Sequence, residues 1–326
     1  MKHKIYLSRI LPQKAMDLLY ENFDVEVNPY DRVATKEEII KGIKGKIGLI
    51  SLLTDTIDSE IMDSNPDLKV ISNYAVGFNN IDIKAATLRK IIVTNTPGVL
   101  TDTTADMAWA LMLAISRRIV ESDRFTREGK FKGWVPTLLL GEDIYGKTLG
   151  IIGMGRIGYA VAKRSIGFCM KVLYYDNKKL SNEQEKEINA KFVSLEDLLK
   201  ESDFISIHLD LTEKTRHFIG EKELKLMKKT AFLINTSRGA VIDEKALVKA
   251  LQNKEIKGAG LDVYENEPEL TPGLIELDNV ILTPHTASAS FETRTKMGIM
   301  AIENLLEVLN GKIPKNIVNP EVLKEI

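Results

Sequence analysis

The sequence predicts an α/β protein with two doubly wound parallel-sheet domains and a cleft between them. Its 326 residues are enough for two domains of ~100–200 residues each. Hydrophobic residues make up 44% of the chain and charged residues 28%, which is ordinary for a globular protein. Short apolar runs alternate with longer amphipathic runs in two successive series. This alternation is typical of parallel strands that are covered by helices on both faces.

The first series occupies the amino-terminal part of the chain. Its strands are predicted at Lys4–Ser8, Val25–Asn28, Ile47–Ser51, Val70–Asn73 and Ile91–Thr94. The helices between them are predicted at Gln13–Glu21, Lys36–Gly42, Ser59–Asp63 and Ile81–Lys90. Because each helix returns the chain across the sheet, these strands are expected to run parallel.

The second series follows after residue 147. Its strands are predicted at Thr148–Ile152, Lys171–Tyr175, Phe204–His208, Thr230–Asn235, Lys257–Asp262 and Val280–Leu282. Its helices include Arg156–Phe168, Ser194–Lys200, Glu221–Met227 and Glu244–Gln252. Six strands in this order fit a doubly wound dinucleotide-binding fold.

Two longer helical patterns, Thr103–Gly129 and Ser288–Asn310, indicate how the domains are connected. The first begins after the polar cap candidates Thr101 and Asp102, and the second ends before Gly311. One lies between the two series and the other follows the last strand, so the chain is expected to cross between the domains twice. The predicted domains are residues 1–100 with 285–326 for the substrate, and residues 101–284 for the dinucleotide.

Charge and composition exclude several classes of function. The 45 basic and 46 acidic residues give a net charge of −1, which removes the bulk electrostatic argument for nucleic-acid binding. No apolar run approaches the ~18–20 residues that cross a bilayer. The first residues lack the apolar segment of a secretory signal, so a cytoplasmic location is expected. A single cysteine, Cys169, excludes an internal disulfide and a multi-cysteine metal site, and no metal is expected.

A glycine-rich hexapeptide follows the predicted strand Thr148–Ile152 and opens the next helix. It consists of Gly153, Met154, Gly155, Arg156, Ile157 and Gly158. In such a loop the first glycine permits a tight turn, the second lets a pyrophosphate approach the backbone, and the third allows close helix–strand packing. The helix N-terminus adds amide donors and the positive end of the helix dipole. Glycine turns alone are common, but this position between a strand and a helix predicts a dinucleotide site.

Asp176 ends the next predicted strand, 18 residues after Gly158. An acidic side chain there accepts hydrogen bonds from the adenosine ribose hydroxyls and repels a 2′-phosphate, so NAD is the predicted cofactor. Lys178 and Lys179 lie close in sequence and soften that preference, which leaves NADP open. The alternative role for Asp176 is to cap a turn at the strand end.

The chain has four histidines, the side chain best suited to acid–base catalysis near neutral pH. His3 is expected at the surface, and His217 lies in a polar loop where a structural role is expected. His208 and His285 both end predicted strands, and open α/β sheets bind ligands outside the carboxyl ends of their strands. Both are candidates, and His285 has the better surroundings.

Two other strand-end loops carry charges that complement His285. Arg238 lies in Asn235–Gly239 and can hold a carboxylate through two parallel hydrogen bonds. Glu267 lies in Glu265–Pro268, and a carboxylate there would stabilise a protonated imidazole. The three side chains form a coherent set for reducing a 2-oxo acid with a nicotinamide. Singly, each has a plainer alternative: a surface ion pair for Arg238, a loop carboxylate for Glu267 and a capping role for His285.

Longer segments surround these residues, namely Asn73–Asp82, Val99–Asp106, Tyr145–Thr148 leading into the glycine loop, Asn235–Gly239, Gly260–Val263, Glu267–Pro268 and Thr283–His285. With them the sequence resembles the D-isomer-specific 2-hydroxyacid dehydrogenase family over nearly its whole length. Within the family it looks most like the glyoxylate/hydroxypyruvate reductase branch.

The resemblance implies two Rossmann- or flavodoxin-like domains that reduce a short 2-oxo acid, such as glyoxylate or hydroxypyruvate, with NAD(P)H. It implies that Arg238 binds substrate, that His285 donates the proton and that Glu267 is its carboxylate partner. Backbone amides near Val76 and Gly77 are expected to hold the substrate carboxylate, because glycine leaves the backbone accessible. In addition, the small pocket is expected to be lined by Leu53.

The resemblance also implies cofactor contacts beyond the glycine loop and Asp176, at Thr104, His208, Thr215, Thr236, Asp262 and Ala287. Asp262 and the Thr236 backbone are expected to face the nicotinamide amide. Two positions depart from the family pattern: Asp210 stands where proline is frequent, and Ala287 stands where glycine is frequent. Neither departure is expected to abolish binding.

A homodimer is expected from the resemblance, with Thr103–Gly129 and the following loop at its interface. Trp134 in that loop either reaches the partner subunit's site or anchors the interface. The nearest rival activities are those of phosphoglycerate, formate and D-lactate dehydrogenases. Rivals of another class are a dinucleotide-sensing corepressor-like binding protein, which would need a partner surface or extended tails, and a purely structural NAD-binding protein.

Overall fold

The computed structural model describes residues 2–324, which divide into two compact units. The first contains the described residues up to Leu100 and those from Ala289 onward, and the second is Thr101–Ser288. The second unit therefore extends beyond residue 284, where the sequence analysis ended it. The reason is that the backbone amides of Thr286 and Ala287 donate hydrogen bonds to the Asp262 side chain.

The first unit is built on a parallel sheet. Within the described residues its strands are β1 (Lys4–Leu7), β2 (Asp24–Val27), β3 (Gly48–Leu52), β4 (Val70–Tyr74) and β5 (Ile92–Thr94), in the order β2-β1-β3-β4-β5. Its helices are α1 (Gln13–Asn22), α2 (Lys36–Ile43), α3 (Ser59–Asp63), α4 (Ile83–Leu88) and the carboxyl-terminal helix Phe291–Leu309. All neighbouring strands pair in parallel, as the alternation of strands and helices predicts.

Local sequence explains where helices of this unit begin. Thr35 and Glu38 form a reciprocal capping box at the start of α2, which satisfies two backbone donors at once. Ser290 caps the carboxyl-terminal helix by accepting from the Thr293 amide. Fully buried aliphatic side chains, such as Ile5 and Ile50, hold these helices on the sheet.

The second unit contains a larger parallel sheet. Its strands, within the described part of the chain, are β6 (Thr148–Ile152), β7 (Lys171–Tyr175), β8 (Ala190–Phe192), β9 (Phe204–Ile207), β10 (Phe232–Asn235), β11 (Gly258–Leu261) and β12 (Val280–Leu282), in the order β12-β11-β10-β9-β6-β7-β8. Its helices are α5 (Thr101–Ser116), α6 (Ile119–Arg127), α7 (Arg156–Ser165), α8 (Asn182–Glu187), α9 (Leu195–Glu201), α10 (Glu221–Leu226) and α11 (Glu244–Gln252). The chain direction across the sheet reverses at β6, which makes its carboxyl end a topological switch point.

Alternating side chains cover both faces of this sheet. Ile205 and Leu233 belong to one apolar cluster, whereas their sequence neighbours Phe204 and Phe232 belong to another. The two phenylalanine rings stack with their centroids 5.4 Å apart. A sheet buried on both faces is what the near-continuous apolar strands predict.

Two sequence predictions need correction. The pattern at Thr103–Gly129 was expected to form one long helix, but α5 ends at Ser116 and α6 begins at Ile119. Arg118, between them, has a left-handed backbone with φ 53°, which an α-helix cannot contain. The short elements α8 and β8 were not predicted, so the sheet has one strand more than expected.

No helix in residues 2–324 is both long enough and apolar enough to pass through a membrane. In the same residues, no group of three or more histidine, cysteine or acidic side chains is arranged to hold a metal ion.

Candidate active site

Three neighbouring strands of the second unit deliver the charged candidates to one edge of the sheet. Arg238 follows β10, Glu267 follows β11 and His285 follows β12, and these strands lie side by side. Because the carboxyl ends of parallel strands share an edge, the sheet itself brings the three loops together.

His285 and Glu267 form a direct pair. Nδ1 of His285 lies 2.9 Å from Oε2 of Glu267, and the two side chains are 24% and 30% exposed. The Tyr264 amide donates to Oε1 of Glu267 at 3.1 Å. With Nδ1 engaged by the carboxylate, Nε2 is the ring nitrogen that can meet a substrate.

The charge of Glu267 is set by its neighbours. Burial by itself raises the pKa of Glu267, but the hydrogen bond and charge of His285, the Tyr264 amide and the charge of Arg238 hold that pKa below its ordinary value. Glu267 is therefore ionised at neutral pH and can balance a protonated imidazole.

The backbone of His285 is held in an uncommon conformation. Its φ is 53°, in the left-handed region that non-glycine residues seldom occupy. The His285 amide donates to the Asp262 carbonyl at 2.9 Å and to the Thr283 carbonyl at 3.0 Å. These bonds fix the direction in which the imidazole leaves the chain.

Arg238 is partly buried in a loop that Asn235 shapes. The Asn235 side chain donates to the Arg238 carbonyl at 3.0 Å and accepts from the Ser237 amide at 3.0 Å. Burial lowers the pKa of Arg238, and the charges of Asp210 and Glu267 oppose that effect. The guanidinium still carries its charge at neutral pH, because arginine begins from a very high pKa. Arg238 and Glu267 therefore interact electrostatically, and each charge stabilises the other.

The Asp262 side chain binds the backbone of the loop that follows His285. It is completely buried, and its carboxylate accepts from the amides of Thr286 at 2.8 Å and Ala287 at 2.7 Å. The Thr283 hydroxyl donates to the same carboxylate. The sequence does not predict this role of Asp262, because its pattern does not show which backbone amides lie opposite the carboxylate. Contacts of Asp262 and Ala287 with a nicotinamide stay predictions.

The glycine loop has the backbone that its sequence predicts. Gly153 has φ +93°, and a Cβ there would lie 2.6 Å from the His208 carbonyl oxygen. A Cβ on Gly158 would lie 2.1 Å from the Gly153 carbonyl oxygen. At Gly155 nothing lies within 4 Å of that position, so the backbone is open to a ligand. Helix α7 begins directly afterwards at Arg156, and Ile157 lies in its first turn.

Asp176 contacts the glycine loop directly. Its Oδ2 accepts from the Met154 amide at 2.6 Å, and its Oδ1 accepts from the Lys178 amide at 3.0 Å. The second bond is the turn cap considered in the sequence analysis. Each carboxylate oxygen has further lone pairs, so capping does not prevent contact with a ribose.

The residues present fit a dinucleotide. The Thr236 hydroxyl, at the end of β10, is buried and has no hydrogen-bond partner among the described residues. A buried polar group of this kind calls for a partner, and a bound cofactor can supply one. Together with the open backbone at Gly155, it marks where a pyrophosphate and a nicotinamide would be held.

The other predicted cofactor residues, His208, Thr215 and Thr104, belong to other segments of the second unit. His208 Nε2 lies 2.8 Å from the Ser206 hydroxyl, and burial lowers the pKa of His208 to about 3, so its imidazole is neutral. The Thr215 hydroxyl donates to the Asp210 carbonyl at 2.6 Å and shapes that loop. Thr104 is buried on α5.

His217, predicted to be structural, lies with Nε2 2.7 Å from Oε1 of Glu265.

The first unit carries the predicted carboxylate-binding amides. Val76 and Gly77 follow β4, where Asn95 donates to the Val76 carbonyl at 2.7 Å and Asn73 donates to the Gly77 carbonyl at 2.9 Å. Within the described residues neither amide donates to another backbone group. Leu53 follows β3 and is partly exposed. The two asparagines were missed in the sequence analysis, although polar side chains at or just beyond strand ends are the signal that could have found them.

The predicted dimer interface differs in exposure along its length, because α5 has many buried residues whereas α6 and the following loop are exposed. Trp134 is 83% exposed, and α6 contains no buried residue.

The doubly wound sheet, its glycine loop and the three charged side chains define a dinucleotide-binding α/β dehydrogenase. The chain belongs to the D-isomer specific 2-hydroxyacid dehydrogenase family: the model of that family's NAD-binding domain matches residues 109–287. A glyoxylate reductase from Korarchaeum cryptofilum is 52% identical, with 99% of this chain and 98% of that protein covered. The family predicted from the sequence is thereby confirmed.

Solved structures agree with this assignment. A glyoxylate reductase from Paecilomyes thermophila is 34% identical, with a TM-score of 0.86 over 98% of this chain and 99% of that chain. An NADPH-dependent glyoxylate/hydroxypyruvate reductase from Sinorhizobium meliloti, in complex with NADP and malonate, is 29% identical. Its TM-score is 0.88, over 98% of each chain. The predicted fold class is confirmed as well.

Proposed function

We propose that this protein reduces a short 2-oxo acid, such as glyoxylate or hydroxypyruvate, to the 2-hydroxy acid with NAD(P)H. The observation that carries the proposal is the pairing of His285 with Glu267 at 2.9 Å, beside Arg238 at the same sheet edge. Relatives named glyoxylate reductase, 46–52% identical over nearly the whole chain, support this substrate class.

The residues of the chain would share the work as follows. Arg238 offers two parallel donors to the substrate carboxylate and carbonyl oxygen. We propose that the amides of Val76 and Gly77 hold the carboxylate. When bound, a reduced nicotinamide supplies the hydride that adds to the carbonyl carbon. Protonated His285 gives its Nε2 proton to the carbonyl oxygen, which becomes the hydroxyl, and Arg238 stabilises the negative charge that develops there.

Glu267 acts on His285 rather than on substrate. Its carboxylate accepts from Nδ1, which stabilises the imidazolium before the proton is given up and directs Nε2 outward. The reverse reaction would use the same neutral imidazole to accept a proton.

The cofactor would be held by the amides of the glycine loop at the start of α7, with Asp176 at the ribose. The negative charge of Asp176 favours NAD. Lys178 and Lys179 leave NADP open, and the Sinorhizobium meliloti relative was solved with NADP. A homodimer would account for the exposure of Trp134 and of α6.

A spectrophotometric assay of cofactor oxidation tests the proposal. NADH and NADPH are each offered with glyoxylate, hydroxypyruvate, pyruvate and phosphohydroxypyruvate. We expect the highest kcat/KM with glyoxylate or hydroxypyruvate. Preference for phosphohydroxypyruvate or pyruvate would instead favour a phosphoglycerate or lactate dehydrogenase. Binding of NADH without turnover of any 2-oxo acid would contradict the proposal and favour a dinucleotide-sensing protein.

A further inference from the structure

Glu244 is a buried carboxylate that the proposed reaction does not use. It lies in the first turn of α11 and is 2% exposed. Burial raises the pKa of Glu244, and the nearby charges of Glu265 and Glu267 raise it further, against the hydrogen bonds it accepts. A carboxylate in such a place costs free energy unless its oxygens are satisfied. The groups that satisfy these two oxygens therefore indicate the role of Glu244.

Both oxygens of Glu244 hold the same loop. Oε1 accepts from the Glu265 amide at 2.7 Å, and Oε2 accepts from the Thr271 hydroxyl at 2.7 Å. These donors stand at the two ends of the segment 265–271, and Glu267 lies between them. One side chain thus closes the segment that carries the partner of His285.

The chain of contacts from Glu244 to the imidazole is short. The Tyr264 amide, which precedes the Glu265 amide, donates to Oε1 of Glu267, and Oε2 of Glu267 meets His285. A shift of residue 265 therefore moves both the carboxylate and the amide that orients it. We propose that Glu244 is a positioning residue for the reaction, which holds Glu267 in place to pair with His285. This inference rests on the proposed function.

Three variants separate positioning from charge and from helix stability. Glu244→Ala removes both hydrogen bonds that join Glu244 to the segment 265–271. Glu244→Gln can retain them, because its amide oxygen can accept from the Glu265 amide while its NH2 group donates to the Thr271 hydroxyl. Asp243→Ala is the matched control, because Asp243 caps α11 through the Ala246 amide without touching segment 265–271.

Steady-state kinetics with glyoxylate and NADH give the first readout. We expect Glu244→Ala to lower kcat ~10- to 100-fold, the size of effect that small misplacement of a catalytic group produces. The Kd for NADH should change less than about twofold. Glu244→Gln should restore most of kcat, and Asp243→Ala should leave kcat near that of the wild type. An unchanged kcat in Glu244→Ala would overturn the proposal.

A double-mutant cycle with Glu267→Gln gives the second readout. If Glu244 acts through Glu267, adding Glu244→Ala to Glu267→Gln causes little further loss of kcat. Losses that multiply in full would overturn the proposal, since a general structural defect behaves in that way. If Glu244→Ala does not fold, Thr271→Val, which removes one contact, takes its place in the cycle.

A measurement without turnover distinguishes this inference from the proposed function. The Nδ1 proton of His285, bonded to Glu267, should give a low-field proton NMR signal that is absent in His285→Asn. We expect Glu244→Ala to lose that signal and Glu244→Gln and Asp243→Ala to keep it. A wild type that shows the signal but reduces no 2-oxo acid contradicts the proposed function alone. Persistence of the signal in Glu244→Ala contradicts the role of Glu244.

Discussion

The backbone of Gly239 lies directly against the backbone of Tyr264. A Cβ on residue 239 would come within 1.8 Å of the Tyr264 carbonyl carbon and 2.1 Å of its oxygen. Gly239 follows Arg238, and Tyr264 begins the turn that leads to Glu267. The direct contact between these two backbones therefore limits how far the Arg238 guanidinium can lie from the Glu267 carboxylate.

Gly239→Ala should separate these two loops. We expect the free energy of unfolding to fall by about 1–3 kcal/mol, as in other overpacked sites, and kcat/KM for glyoxylate to fall at least ~10-fold because Arg238 and Glu267 move apart. Urea unfolding and steady-state kinetics measure the two effects. Gly167→Ala is the matched control, because nothing lies within 4 Å of a Cβ at that position. Equal behaviour of the two variants would show that the close approach is unimportant.

Asp262→Asn should loosen the loop that carries His285. Asparagine keeps one acceptor oxygen but turns an NH2 group toward one of the two amides, at Thr286 or Ala287, that the carboxylate now binds. An unsatisfied buried amide costs about 1–3 kcal/mol, so we expect that loss of unfolding free energy together with a lower kcat. Thr286→Val is the control, because it removes only a hydroxyl 3.3 Å from the carboxylate and keeps both amides. A wild-type kcat in Asp262→Asn would mean that the hydrogen bonds of Asp262 to this loop are not needed to position His285.

Asp176→Ala should change the choice between NADH and NADPH. Removal of the carboxylate ends its repulsion of a 2′-phosphate, so the ratio of kcat/KM with NADPH to that with NADH should rise ~10-fold or more. The Met154 amide also loses its acceptor, so binding of both cofactors should weaken. Asp197→Ala removes an equal charge from the first turn of α9, where Asp197 is exposed, and should leave the ratio unchanged. A constant ratio in Asp176→Ala would remove the ribose role of Asp176.

His208 should make stability depend on pH. Burial lowers the pKa of His208 to about 3 from an ordinary value of 6.5. Between these two pH values the imidazole of His208 is protonated in the unfolded chain but stays neutral in the folded chain. The stabilisation is complete above pH 6.5 and is lost as the pH falls toward 3. When the pH is lowered from 7.5 to 5, the unfolding free energy of the wild type should therefore fall by ~1–2 kcal/mol more than that of His208→Gln. Denaturant titrations without cofactor test this, and parallel pH curves would contradict it.

Periodicity was sufficient for elements with a strong apolar face. Thr148–Ile152, Lys171–Tyr175 and Glu244–Gln252 begin and end where the sequence analysis placed them, because buried strands and amphipathic helices leave a clear pattern. The edge strand Ala190–Phe192 has no buried residue, so it leaves no pattern to detect. The break at Arg118 depends on tertiary packing, and no glycine or proline marks it.

The candidate site divides in the same way. Arg238, Glu267 and His285 could be predicted because each follows a strand that runs to the same edge of the sheet. The supporting carboxylates could not, because their roles depend on which backbone amides lie opposite them. Asp262 was assigned to the cofactor from its place at a strand end, and Glu244 appeared only as the start of a helix. Both contacts join residues more than twenty positions apart.

The most direct test of the whole account is the rate of glyoxylate reduction by His285→Asn, measured by NADH oxidation beside the Kd for NADH. Asparagine tolerates the left-handed backbone of residue 285 but cannot donate an acidic proton. We predict that kcat falls ~10²- to 10⁴-fold, the usual contribution of a general acid, while NADH binds as it does to the wild type. Reduction of glyoxylate at the wild-type rate would show that the imidazole beside Glu267 is not the proton donor.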